Sequence, residues 1–206
     1  QDVQLGGQGA PLVPIGDQLL FPDYSSCLNL GGFANVSYQK NRQRVAFDVC
    51  PVNMVLNHFA QKLGFEYDNG GTLASEGKID EELLKELNKI GFYFKKPPKS
   101  LGAEWVFQVV LPIINSYRIP HKNVLRTYVE HITYQINNSI KGQSKVLVTG
   151  GGAYNSFLIN ELKSKFKGEI ILPSNNLIEY KEALIFALLG LLKTQGKVNC
   201  LQSVTG

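Results

Sequence analysis

Lys145-Val146-Leu147-Val148 runs into Thr149-Gly150-Gly151-Gly152-Ala153-Tyr154-Asn155, and a helix-like spacing of apolar residues follows from Ser156 to Phe166. The pattern predicts a strand, a glycine turn and a helix start. Successive glycines leave no Cβ between solvent and main chain, so a flat or anionic ligand can come close while the next helix directs amide N–H groups toward it. A dinucleotide fingerprint would place a third glycine at position 155 and an acidic residue about 20 positions further on. The chain has Asn155 at the first place and Pro173-Ser174-Asn175 near the second, so the loop is glycine-rich but of another type. On spacing alone, a nucleotide loop and an unliganded strand-to-helix connection stand level.

Outward from this loop the pattern alternates. A strand over Glu169–Leu172 and a helix over Lys181–Thr194 follow, and strands alternating with helices argue for parallel pairing through crossover helices. Upstream, Cys27–Leu30, Ala34–Tyr38 and Arg44–Asp48 are short strand-like runs divided by Gly31-Gly32 and Asn41, which predicts a meander. Helices are predicted over Val52–Leu63, from Asp80 to a stop at Gly91, over Ala103–Tyr117 with a break or kink at Pro112, and over Val124–Ile140. Residues 64–78 read as loop, with a turn at Tyr67-Asp68-Asn69-Gly70-Gly71. Strands first and α/β units second is the order of an α/β, ribonuclease-H-like or actin-like lobe: a mixed sheet flanked by helices, more than a doubly wound one.

Composition narrows the classes. The chain has 206 residues, 44% of them hydrophobic, enough to bury a full core. The longest apolar candidate, Ala183–Leu192, is shorter than the roughly 18 residues that suggest a membrane span. The net charge is +4, but lysines are interspersed with acids, and the one dense cluster, Lys95-Lys96-Pro97-Pro98-Lys99, is short. The distribution points away from nucleic acid. Cys27, Cys50 and Cys200 form neither a CxxC pair nor a disulfide ladder, which fits a reducing cytoplasm. His58, His121 and His131 lack zinc-site spacing and read as ordinary residues, two of them in helix-like segments; no metal ligands are assigned. The chain starts at Gln1 without methionine and ends on the polar Ser203-Val204-Thr205-Gly206, as a piece of a longer protein would.

Three further constellations stand out. Asn29-Leu30-Gly31-Gly32-Phe33-Ala34-Asn35 sets a Gly-Gly turn between strands, able to offer backbone N–H groups to phosphate or to serve as a plain hairpin. Asp2 precedes the glycine-rich stretch Gly6-Gly7-Gln8-Gly9-Ala10-Pro11-Leu12-Val13-Pro14. Glu179-Tyr180-Lys181-Glu182-Ala183 is expected to open the last helix, where acids also suit the helix N-terminus.

Taken in order, these segments, with Phe47-Asp48…Pro51…Asn53, Tyr67-Asp68…Gly70 and Pro97-Pro98-Lys99-Ser100…Gly102…Glu104, resemble the anhydro-N-acetylmuramic acid kinases of peptidoglycan recycling. The resemblance runs nearly end to end. It implies the C-terminal lobe, residues 1–206, of a two-lobed protein of the actin, hexokinase and Hsp70 superfamily, with the first phosphate loop on a lobe that this chain lacks. It further implies ATP and Mg²⁺, an amino-sugar substrate, a cytoplasmic location and a homodimer, with no nucleic-acid or membrane partner. By the same resemblance Asp2 is the catalytic base. Gly31, Gly32, Asn35, Gly150, Gly151, Gly152 and Asn155 lie on the nucleotide side, and Asp48, Asn53 and Glu182 on the sugar side. Many family members carry Thr-Gly-Pro-Gly-Asn after Phe-Asp, whereas this chain has Val49-Cys50-Pro51-Val52-Asn53. A non-catalytic sugar- or nucleotide-binding module of the same superfamily is the alternative.

Overall fold

The computed structural model describes residues 11–201 and residue 204. Asp2 and most of the glycine-rich opening therefore lie outside the described residues. The sheet is built from β1 (Ser26–Leu30), β2 (Phe33–Lys40), β3 (Gln43–Pro51), β4 (Lys145–Thr149) and β5 (Glu169–Ile171), in the order β3-β2-β1-β4-β5. β1, β2 and β3 pair antiparallel, and β4 joins β1, and β5 joins β4, in parallel. An antiparallel meander extended by parallel α/β strands is the ribonuclease-H-like arrangement expected from the sequence. The β2–β3 turn holds Asn41 at φ 49° and Arg42 at φ 66°. Positive φ at both central residues is what a two-residue hairpin loop needs to match the twist of its strands.

Alternation along the strands divides the core. Leu28, Leu30, Val146 and Val148 point to one face, into a cluster with Val55, Phe59, Tyr128, Ile132 and Leu158. Cys27 and Leu147 point to the other, against Ile15, Phe21, Ile185 and Leu189. The first face is covered by α2 (Asn53–Gln61), α7 (His121–Ser139) and α8 (Ser156–Lys165), the second by α1 (Pro14–Leu20) and α9 (Asn175–Thr194). Each fully buried Leu or Ile contributes about 1.5–3 kcal/mol of transfer free energy, so the two clusters account for why both faces hold helices.

Smaller elements complete the first layer: α3 (Thr72–Ser75), α4 (Glu81–Asn88), α5 (Ala103–Trp105) and α6 (Leu111–Asn115). Asp80 caps α4, its side chain accepting from the Leu83 N–H at 2.9 Å. Residues 64–78, read as loop, contain α3 and a turn of 3₁₀ helix over Asn69–Gly71. The predicted helix through 103–117 is interrupted, but the irregularity precedes the proline. Val106–Val110 is π-helical and Pro112 sits in the first turn of α6. Proline lacks an N–H and crowds the carbonyl four residues back, so widening of the preceding turn relieves the clash. The last helix starts at Asn175, ahead of the Glu179–Ala183 opening predicted for it.

His131 is buried, with Nδ1 2.7 Å from Asn88 Oδ1 and Nε2 3.0 Å from the Tyr93 hydroxyl. Burial pushes its pKa down to about 3, so the ring is neutral and serves the core. Among the described residues, no helix is long and apolar enough to cross a membrane.

Candidate functional site

β1 and β4 run parallel and both end at glycines. Asn29 stands opposite Thr149, and beyond that pair lie Gly31 and Gly150. In open α/β sheets such carboxyl ends are where crevices form. Here the crevice has two adjoining parts. The larger, of about 530 Å³, is lined by Asn53, Leu56 and Asn57 of α2, by Tyr67–Gly70, and by Gly151, Tyr154 and Asn155. The smaller, of about 240 Å³, is lined by Asn29, Gly31, Gly150, Gly151 and Tyr154, and by Ile178, Glu179, Lys181 and Glu182 of α9. Gly151 and Tyr154 belong to both. A volume of this size suits a ligand such as a nucleotide.

The three glycines of the loop have different reasons to be there. Gly150 has φ 84° and ψ 163°, a conformation nearly confined to glycine. A Cβ on it would stand 2.5 Å from Asn29 Oδ1 and 2.8 Å from the Leu30 carbonyl oxygen. A Cβ on Gly152 would stand 2.8 Å from Leu30 Cβ and 3.0 Å from the Leu30 oxygen. Both let the loop sit directly on the end of β1. At Gly151 the nearest atom to such a Cβ is Asn53 Nδ2, at 3.7 Å, an ordinary contact. Gly151 is thus the glycine that packing leaves unexplained, and it faces the crevice.

Asn155 ends the loop and caps α8, its Oδ1 accepting from the Leu158 N–H at 3.0 Å. The same side chain wedges against the Asn69-Gly70-Gly71 turn: Gly70 and Gly71 have φ of 63° and 77°, and a Cβ on Gly71 would overlap Asn155 Oδ1. Ser156 Oγ donates to the Gly70 oxygen at 3.0 Å. Asp68 holds the far end of that turn, accepting from the Leu73 and Ala74 N–H groups at 2.8 and 3.0 Å. Burial raises the Asp68 pKa, and those two donors pull against the rise. Tyr67–Gly70 thereby forms a wall of the larger part. The sequence marked it as a turn without assigning it to the site; the double glycine after Asp-Asn was its signal.

The Gly31-Gly32 turn joins β1 to β2 and also holds the start of α2. The Gly31 N–H donates to the Phe33 oxygen at 3.1 Å, while the Gly31 oxygen accepts from Asn53 and the Gly32 oxygen from Val52. The turn therefore satisfies the start of α2 and presents Gly31 to the crevice. Gly32 is exposed beside Met54. Asn53 is held in the larger part, next to Gly151 rather than near Glu182.

Asn35 and Asp48 line neither part, yet the sheet connects them to it. Asn29 pairs with Asn35, and Asn35 with Asp48, so three polar side chains stand in a row on one sheet face. At the outer end Asp48 Oδ2 accepts from the Leu101 N–H at 2.8 Å and the Asp48 N–H donates to the Lys99 oxygen at 3.0 Å. Burial raises the Asp48 pKa, opposed by the Leu101 bond. Lys99 Nζ lies 4.7 Å from the Phe92 ring centre and 5.7 Å from that of Phe47, with burial lowering its pKa. Glu182 is exposed in the second turn of α9, and Tyr154 Oη donates to Glu179 Oε1 at 3.0 Å.

A family model described as anhydro-N-acetylmuramic acid kinase matches residues 1–206. The protein of that name from Clostridioides difficile (strain 630) is 35% identical over 209 residues, covering 92% of this chain and 55% of the relative. The one from Gloeobacter violaceus is 32% identical over 229 residues, covering 100% of this chain and 59% of the relative. The chain thus spans a little over half the length of the curated relatives it matches. Among solved structures, the activator of the 2-hydroxyisocaproyl-CoA dehydratase from Clostridium difficile, with bound ADPNP, superposes with a TM-score of 0.50 at 17% identity, covering 89% of this chain and 66% of that one. Component A of the (R)-2-hydroxyglutaryl-CoA dehydratase of Acidaminococcus fermentans gives 0.51 at 15% identity, covering 84% and 63%. At that identity the likeness is one of fold.

Proposed function

The chain belongs to the anhydro-N-acetylmuramic acid kinase family, and from that premise we propose that it is the C-terminal lobe of a two-lobed kinase that binds ATP at the carboxyl ends of β1 and β4. The observation that carries the reading is Gly151, open to both parts of the crevice while its neighbours are fixed by packing. In this reading Gly31, Gly150 and Gly151 border the phosphates, and Asn53, Asn155 and the Tyr67–Gly70 wall border the adenosine. This moves Asn53 from the sugar to the nucleotide. Asn35, expected on the nucleotide side, stands instead in the row Asn29, Asn35 and Asp48; the row lies behind the crevice and supports the sugar side, which Asn29 and Glu182 line. Gly152 and Gly32 act through the shape of their turns. The likeness to a fold that holds ADPNP in another protein supports a nucleotide here.

The proposed reaction opens the 1,6-anhydro bridge of anhydro-N-acetylmuramic acid with water and places the ATP γ-phosphoryl on the freed O6. The products are N-acetylmuramic acid 6-phosphate and ADP, in cell-wall recycling in the cytoplasm, by a protein that assembles as a homodimer. Water attacking C1 needs a base on the face opposite the leaving oxygen. Asp2, outside the described residues, takes that role: a carboxylate with an ordinary pKa of about 3.9 is already ionised near neutral pH. It accepts the water proton as the C1–O6 bond breaks, and O6 leaves onto phosphorus, so its charge passes to phosphate without a protein acid. Mg²⁺ would neutralise phosphate charge. Among the described residues no group of three or more His, Cys, Asp or Glu side chains is placed to hold a metal ion.

The test is titration calorimetry and turnover on the polypeptide that carries this chain with its N-terminal lobe. Asp2→Asn is expected to bind ATP as the parent does and to turn over no sugar. Near-normal turnover by that variant would remove Asp2 from its role, and sugar binding without turnover by the parent would favour the non-catalytic module.

A further inference from the structure

The stripe by which α9 meets the sheet is Ile178, Lys181, Ile185 and Leu189, three aliphatic residues and one charge. Lys181 Nζ lies 2.8 Å from Asp17 Oδ1, with the two side chains 4% and 5% exposed. Asp17 Oδ2 accepts a hydrogen bond from Ser37 Oγ, and Ser37 Oγ accepts one from Arg44 Nη2 at 2.8 Å. Beside the pair, α1 comes so close to α9 that a Cβ on Gly16 would overlap the Ile185 side chain. A chain of polar contacts thus runs from β3 through β2 and α1 to the helix that borders the crevice.

We infer that the Asp17–Lys181 pair is a register lock that fixes the rotation and axial position of α9, and through it the placement of Glu182 against the sugar. An aliphatic stripe tolerates a small slide or roll, because one methyl group packs nearly as well as the next. A buried ammonium does not, since displacement would leave both charges desolvated and unpaired. Fixing register is the best-attested use of a buried ion pair, whose net stabilisation is small once desolvation is counted. Lys181 immediately precedes Glu182, and both line the smaller part of the crevice, so an error at the lock is transmitted within one residue. The other end of the lock lies on α1, the first described helix, which follows Asp2 in the sequence. The pair therefore ties together the two segments proposed to handle the sugar. Asp17 and Lys181 are positioning residues here, and the inference rests on the proposed sugar-side role of Glu182.

The test uses the two-lobed protein and the Asp17→Asn, Lys181→Met double variant, which removes both charges together and keeps an acceptor for Ser37. Lys181→Arg, which keeps the charge pair, is the conservative control. The double variant is expected to keep its ATP KM within about twofold and to lose about 100-fold in sugar turnover, the scale that a misplacement near 1 Å brings. Lys181→Arg is expected to recover most of that loss. Independently of activity, spin labels at Leu20 and Phe186, both exposed, should report a narrow α1–α9 distance in the parent and a broadened one in the double variant. An unchanged distance distribution, or an unchanged kcat, in the double variant overturns the lock. A parent protein without sugar turnover would instead refute the reading of the site, and the distance measurement would then decide the lock alone.

Discussion

Alanine at each of the three loop glycines separates packing from ligand contact. At Gly150 alanine would occupy a glycine-only region of φ and ψ, costing about 1–3 kcal/mol, and would press on the Leu30 oxygen at 2.8 Å. At Gly152 the backbone is permissive, but the methyl group meets Leu30 Cβ at 2.8 Å, an overpacking cost of about 1–3 kcal/mol. At Gly151 neither penalty applies. The lost freedom of the unfolded chain makes Gly151→Ala neutral or stabilising by about 0.4–1 kcal/mol. For a chain of this size 1 kcal/mol corresponds to about 2–4 °C in Tm. Gly150→Ala and Gly152→Ala should therefore melt several degrees below the parent, and Gly151→Ala at or slightly above it. Nucleotide binding should show the reverse emphasis. A methyl group at Gly151 keeps phosphates off the main chain, and a tenfold loss of ADP affinity, about 1.4 kcal/mol, is expected there. Thermal scans paired with calorimetric ADP titration give both numbers. If Gly151→Ala melted as low as Gly152→Ala and bound ADP unchanged, the loop would be a packing device throughout.

Other expectations follow from single contacts. Asn155→Ala should lose about 1 kcal/mol by uncapping α8, while Asn155→Ser keeps the cap; a fall in ADP affinity in the serine variant at unchanged Tm would mark a direct contact with ligand. Asp48→Ala leaves the Leu101 N–H without its acceptor, costing about 1–3 kcal/mol, and should speed proteolysis near residues 95–101, whereas Asp48→Asn should largely retain protection. His131 is held neutral in the fold with its pKa near 3, against an ordinary 6.5. The unfolded chain then binds the extra proton between those values, so this contribution is complete above about pH 6.5 and is lost as pH falls toward 3, by up to about 1.4 kcal/mol per pH unit. Denaturant titrations of the parent and His131→Asn between pH 7 and 5 should differ by that slope, and parallel lines would show that the ring is protonated in the fold.

Much of the architecture could be read from residue patterns because the patterns were local. Gly31-Gly32 and Asn41 divide the meander where the strands turn, and Asp80 caps the helix it precedes. The start of α9 was harder to see, because Asn175-Asn176 and Glu179 are polar and lie on its exposed side, so the apolar stripe becomes visible only from Ile178. The irregularity near Pro112 was foreseen, but not that the preceding turn would absorb it as π-helix. At the site, the glycines and the asparagine were legible as types but not by role. That Gly150 and Gly152 pack on Leu30, and that Asn155 grips the Gly70-Gly71 turn, depends on approaches between segments far apart in the chain. The Asp17–Lys181 pair joins residues 17 and 181, and no local pattern relates them.

Whether the protein couples ring opening to phosphorylation is decided by supplying its two-lobed form with ATP, Mg²⁺ and 1,6-anhydro-N-acetylmuramic acid in ¹⁸O-labelled water and weighing the products. The expected result is one ADP per sugar phosphorylated at O6, with a single ¹⁸O at the anomeric hydroxyl and none in the phosphate ester. ATP consumed without the sugar, label in the ester oxygen, or a sugar bound but returned intact would contradict it.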